Sequence, residues 1–172
     1  MPYTLEQLAA DIRAALTAAP GPAGREQARR HVERACADPD FVAAHFGPDN
    51  TADRKILYED PALKFCICAH VYTGARGSSP HDHGPSWAIY GQARGVTEMT
   101  DWRCLERPRD GRPGTVAKVR VYALKPGIAH LYNEGDLHSP RRDDDTCLIR
   151  IEGQDLSKVR RDTYKVAAEA PA

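Results

Sequence analysis

The sequence predicts a mainly β protein, a sandwich or barrel of short strands with a helical N-terminal part. Three observations lead there. Apolar residues in the first third recur at helical spacing, and from Arg54 the hydrophobic period drops to two. The chain also holds 13 Pro and 13 Gly, a turn content that suits many short strands better than a helical bundle. At 172 residues it corresponds to one domain, taking ~150 residues per domain.

The helical part comes first. Thr4 followed three positions later by Gln7 reads as a capping box, and Leu5, Leu8, Ile12, Ala15 and Leu16 then repeat along one face. Pro20-Gly21-Pro22 stops that helix. A second is expected from about Arg25 to Ala37, with Val32 and Ala35 on its apolar side. Asp38-Pro39 reads as an N-cap and a first-turn proline, opening a short helix that ends at Gly47.

The strands follow. In Leu63 to Thr73, Leu63, Phe65, Ile67, Ala69 and Val71 alternate with Lys64, Cys66, Cys68, His70 and Tyr72. Further runs are Ser86 to Tyr90, Gly95 to Trp102, Val116 to Leu124 and Thr146 to Glu152. Turn-rich segments separate them: Gly74 to Pro80, Pro108 to Gly114, Lys125 to Gly127 and Ser139 to Asp144. Residues 1–50 are thus read as a helical cap, 51–155 as the barrel and 156–172 as a tail that wraps the surface or frays, within a single compact domain.

Composition excludes several classes. Lys plus Arg and Asp plus Glu are 24 each, for a net charge of zero, so no field favours nucleic acid or an anionic membrane. Hydrophobic residues at 41% suffice for one core. The longest apolar stretch, Phe65 to Ala69, is far too short to cross a bilayer. The cysteines (Cys36, Cys66, Cys68, Cys104, Cys147) are odd in number with no Cys-x-x-Cys pair, and Met1 to Ala10 lacks a basic start before an apolar run. Free thiols and a cytoplasmic location are expected. Cys66 and Cys68 are read as core, Cys104 and Cys147 as small buried hydrophobes.

The chemistry centres on Ser79-Pro80-His81-Asp82-His83-Gly84. On a strand, positions i and i+2 share a face about 6.5–7 Å apart, so the imidazoles of His81 and His83 can converge on one metal ion. Pro80 and Gly84 place the pair where the chain bends into a strand.

This His-x-His, followed by an apolar strand and by Gly95 opening the next strand with Glu98 on it, resembles the first motif of the cupin superfamily. More narrowly, His81-Asp82-His83 and Gly95 to Trp102 resemble the cysteine dioxygenase type I family of small-thiol dioxygenases. The likeness runs from about Arg54 to Glu152. It implies a cupin double-stranded β-helix, a jelly-roll-like barrel behind N-terminal helices.

The resemblance also implies a third histidine. His138, in Asn133 to His138, fits the thiol-dioxygenase spacing and is preferred; His130, in Pro126 to His130, fits cupins in general and is the alternative. Many cupins add a carboxylate soon after His-x-His, but Gly84 to Tyr90 holds none. Three neutral imidazoles leave a divalent metal its full charge and open positions for an anionic chelating substrate and dioxygen, which suits Fe(II) better than magnesium or calcium.

By the same resemblance, an arginine before the barrel strands grips the substrate carboxylate. Arg54 lies at that place, with Arg94, Arg120 and Arg150 as alternatives. Arg150 would face the barrel interior and need an anion there, either Glu98 or a substrate. Trp87, Tyr90 and Trp102 are aromatic candidates for the pocket wall or the core, and Tyr90 joins Arg54 and Arg150 as a candidate catalytic residue. The cysteine of the animal enzymes that links to a tyrosine has no counterpart in Ser86 to Ile89, and the last core strand lacks the family's Ser-His-Tyr series. These departures leave fold and metal untouched and weaken cysteine as the substrate.

The expected activity is a mononuclear non-haem Fe(II) dioxygenase that converts a small thiol acid, cysteine or a mercaptocarboxylate, and O2 to the sulfinic acid. Two alternatives stand beside it: a three-histidine dioxygenase cleaving a carbon–carbon bond of a diketone or hydroxyketone, and a non-catalytic metal- or ligand-binding cupin. The partners expected are a small molecule and O2, with no nucleic acid and no membrane, in a monomer or a homodimer paired through exposed barrel edges.

Overall fold

Thr4 caps the first helix as its sequence predicts: its hydroxyl accepts from the Gln7 amide (3.2 Å) while the Gln7 side chain accepts from the Thr4 amide (3.0 Å). A computed structural model describes residues 2–168. Helix α1 spans Leu5–Ala18, α2 Pro22–Ala37 and α3 Pro39–His45. Helix α2 starts at Pro22, three residues before the expected Arg25, because a first-turn proline lacks only an N–H that the helix does not use. A Cβ on Gly24 would meet the Ala19 carbonyl at 2.0 Å, so glycine is what lets the α1–α2 turn close. Asp38 caps α3 by accepting from the Asp40 and Phe41 amides at 2.9 and 3.3 Å.

Among the described residues ten strands follow: β1 Lys55–Glu59, β2 Cys66–Tyr72, β3 Arg76–Gly77, β4 Ala88–Arg94, β5 Thr97–Glu106, β6 Gly114–Leu124, β7 Ala129–Tyr132, β8 Leu137–Arg142, β9 Thr146–Glu152 and β10 Tyr164–Val166. They form two five-stranded sheets, β1-β2-β9-β4-β7 and β10-β6-β5-β8-β3. The antiparallel partners are nested: β5 with β6, β4 with β7, β3 with β8, β2 with β9. Successive nested pairs fall in alternate sheets, so one long hairpin is wound into a barrel. This is the double-stranded β-helix of the cupins, here behind three N-terminal helices.

The first sheet is covered on both faces. Phe65, Ile67, Ala69, Ile89, Ile149 and Ile151 pack against Leu8, Ile12, Val32 and Phe41 of the helices in one core. Each fully buried isoleucine contributes about 1.5–3 kcal/mol. The alternate residues of the same strands, among them Cys68, His70, Tyr90, Arg150 and Glu152, line the barrel interior.

Several expectations are corrected. Leu63 and Lys64 lie outside β2: the Asp60 carboxylate accepts from the Ala62 and Leu63 amides (2.9 and 2.7 Å), and Lys64 takes φ 64°, so the chain turns before the strand begins. Ser139 to Arg142, read as turn, belongs to β8. The Pro140 carbonyl accepts from Ser78 (3.1 Å), so its missing N–H also faces the short β3, and pairing with β5 loses nothing. The tail contributes a short 3-10 turn, Leu156–Lys158, and β10, which lies parallel to β6. Residues 169–172 of that expected tail lie outside the described residues. Cys104 is exposed and Cys147 half-buried, whereas Cys36, Cys66 and Cys68 are buried; all five are free. Among the described residues no helix is long and apolar enough to cross a membrane.

Candidate metal centre and its cavity

His81 and His138 are brought together by their own backbones. Each amide donates to the other's carbonyl at 3.0 Å, an isolated antiparallel bridge between distant parts of the chain. The chain then turns, with the His83 carbonyl accepting from the Ser86 amide (3.2 Å) and Asp82 from the Gly84 amide (2.9 Å). His83 is therefore delivered by a turn and not by a regular strand. Ring centroids lie 4.5 Å apart for His81–His138, 4.8 Å for His83–His138 and 5.8 Å for His81–His83. One nitrogen from each ring falls within 4.8 Å of the other two.

The protons on these rings are set by their neighbours. His138 Nδ1 lies 3.0 Å from the Asp136 carbonyl and His81 Nδ1 3.0 Å from the Ser79 carbonyl. A carbonyl can only accept, so both Nδ1 atoms carry hydrogen and both Nε2 atoms keep a lone pair. Burial pushes all three imidazoles below the ordinary histidine range, and mutual repulsion pushes His83 and His138 further. Neutral rings with free lone pairs suit a divalent cation, and two of them, His81 and His138, are oriented by carbonyls behind them. His83 Nδ1 is buried without a partner. The three-histidine group can hold a metal ion.

His130, the alternative third ligand, is not in the group: it packs against the Tyr122 and Tyr132 rings at 5.0 and 4.6 Å. Tyr90 does reach the site. Its hydroxyl lies 3.1 Å from His83 Nε2 and 3.4 Å from His138 Nε2. Behind the group, the Tyr132 ring covers His138 and shares a short hydroxyl–hydroxyl contact with Tyr122, which donates to Asp101 (3.0 Å).

His81 and Tyr90 open onto a cavity of about 690 Å³ whose wall includes Arg76, Arg142, Arg150 and Arg161 against Asp53 and Asp162. Arg150 lies 5.6 Å from the Tyr90 ring centre and donates through Nε to Glu152 (2.9 Å). Its buried counter-ion is thus Glu152 and not Glu98, which is half-exposed on the other sheet beside Arg141. Arg54 is not in the cavity wall. Its guanidinium holds Glu152 at 2.7 and 3.2 Å and Asp155 at 2.8 Å, so the expected carboxylate anchor is already occupied by carboxylates of the chain itself. Arg94 donates to the Phe46 carbonyl (2.7 Å) and Arg120 pairs with Asp101 (2.6 Å), both away from this cavity. Trp102 donates to Ser139 (2.8 Å), and Trp87 lies beneath Arg25.

No family model matches the sequence, and no curated protein matches it. Solved structures similar in chain path include a cupin-2 domain protein from Shewanella frigidimarina (TM-score 0.45, 14% identity, covering 62% of this chain and 85% of that one). A cupin superfamily protein from Desulfitobacterium hafniense gives 0.42 and 13%, covering 59% and 76%. KdgF from Halomonas sp. gives 0.43 and 18%, covering 58% and 76%. Their likeness is one of fold.

Sequence reasoning passed over Arg142 and Tyr72. Arg142 falls in the polar run after Pro140, which resembles a loop; only the pairing of β8 turns it inward.

Proposed function

We propose that the chain is a ferrous-dependent dioxygenase that oxidises a small anionic thiol to its sulfinic acid. The balance is one thiol plus one O2 giving one sulfinic acid, with both oxygen atoms on sulfur and sulfur losing four electrons. The observation that carries this reading is the set of three neutral imidazoles, with no carboxylate among them, whose member His81 opens onto an arginine-lined cavity.

His81, His83 and His138 would hold the metal through the lone pairs that their neighbours leave free. A ferrous ion there would supply the redox chemistry by which electrons pass from the thiolate sulfur to dioxygen. The chain's own contribution is placement and charge. Arg150, fixed by Glu152, puts a cation beside Tyr90 and attracts the anionic substrate. The Tyr90 hydroxyl holds a proton beside two ligand nitrogens, within reach of a reacting sulfur or oxygen atom. Tyr132 and the buried faces of β4 and β7 exclude water from the rear of the site.

Oxygen uptake by ferrous-loaded protein across a panel of thiol acids tests the reading. One O2 consumed per thiol, with sulfinate as product, supports it; no uptake with any thiol overturns it. Uptake with a β-diketone in place of a thiol would assign carbon–carbon cleavage instead.

A further inference from the structure

Arg142 breaks a rule that the rest of the chain obeys. It is 5% exposed, and among the described residues its Nε has no hydrogen-bond acceptor and its guanidinium has no carboxylate within ion-pair distance. Its close charged neighbours are of the same sign. The guanidinium carbon lies 4.6 Å from the centre of the Tyr72 ring, and that of Arg76, its β-bridge partner, lies 4.7 Å from the same ring. Burial depresses its basicity, and Arg150 and Arg76 depress it further. The cations near it have counter-ions: half-buried Arg150 has Glu152, half-buried Arg54 has Glu152 and Asp155, and exposed Arg76 has Asp53.

A buried, unpaired guanidinium facing a cavity is costly unless an anion enters. The same cavity is bounded by His81 and Tyr90, so one ligand can touch both the histidine group and Arg142. Its 690 Å³ exceeds what a three-carbon thiol acid fills and lies in the range of ordinary small-molecule sites.

We infer that Arg142, beside Arg150 and Tyr72, is the binding site for a substrate carboxylate in the cavity that His81 also lines. The substrate class is then an extended organic acid whose reactive group and free carboxylate lie at opposite ends. The identity of the reactive group rests on the function proposed above; the carboxylate end does not.

The test is equilibrium binding of succinate and of its neutral isostere succinamide to the full-length, metal-free protein. Succinate is expected to bind at least tenfold more tightly than succinamide. Arg142→Met should lose at least tenfold in succinate affinity, and Arg142→Lys, which keeps the charge but not the fork, should lose only a few-fold. Equal affinity for the two probes, no binding of either, or unchanged succinate affinity in Arg142→Met overturns the inference. The comparison of probes on the unmutated chain stands even if a variant fails to fold. If succinate binds as expected and no thiol drives oxygen uptake, the dioxygenase reading falls and the carboxylate site remains.

Discussion

The Tyr132 ring lies almost flat on the His138 imidazole, with centroids 3.8 Å apart and planes 17° from parallel. The stack fixes the ring plane while the Asp136 carbonyl fixes its proton, so the direction of the Nε2 lone pair is set from two sides. An aromatic pair contributes about 0.5–1.5 kcal/mol. Tyr132→Leu should therefore weaken ferrous or zinc binding by about 2- to 10-fold without loss of the barrel, read by metal titration and circular dichroism.

Tyr90 touches two of the three candidate ligands through one oxygen. Tyr90→Phe removes that proton and leaves the ring against Tyr132 and Arg150. Metal content should stay at the unmutated level while kcat falls by roughly 100-fold, the low end for loss of a positioned acid or base. Parallel loss of metal would make Tyr90 a structural support.

Glu152 is fully buried and accepts from Arg54, Arg150 and the Leu156 amide. Burial raises its carboxyl's pKa, but the Arg54 hydrogen bonds and the Arg150 charge outweigh it, and the net direction is down. Because the unfolded carboxyl, near ~4.3, takes up its proton first as pH falls, this stability is present above that value and lost below it. Glu152→Gln should flatten the acid side of the stability–pH curve in denaturant titrations. At neutral pH it should cost about 3–5 kcal/mol by taking from the Arg150 cation its carboxylate partner, while Arg54 keeps Asp155.

Gly91 is where α2 meets β4. A Cβ there would lie 2.5 Å from Val32 Cγ1 and 2.8 Å from Cys36 Sγ. Gly91→Ala should cost about 1–3 kcal/mol through overpacking, read as a lower midpoint in urea. A smaller neighbour at the closer contact, as in Gly91→Ala with Val32→Ala, should recover part of it.

Arg142→Met carries an opposite sign for stability. Replacing an unmatched buried cation by an apolar side chain of similar length should stabilise the protein by about 1 kcal/mol, raising Tm by roughly 2–4 °C for a chain of this size. A gain in Tm with a loss of anion binding is the signature of a residue kept for function.

The β-helix was legible where a strand's apolar residues recur at every second position: Thr146–Glu152 is matched end to end. Two of the three grouped histidines sit in one short motif, and the third in the group is His138, with His130 outside it. What escaped was what pairing alone decides. Strand β7 has four residues and β3 two, too few to show a period, and β8 hides behind a proline and a run of charge. Arg54 and Glu152 were each visible on a strand or at its edge, yet their mutual hydrogen bonds depend on β2 lying between β1 and β9. Counter-ions across a sheet are set by strand order, which no local window carries.

The nested winding has a kinetic corollary. The bridge between His81 and His138 lies outside the β5–β6 and β4–β7 pairs and inside β3–β8 and β2–β9, so the loop it closes is shortest once the two inner pairs have zipped. Cation capture at this place would then report the closing of the two inner layers, with β3–β8 and β2–β9 still to be laid around it.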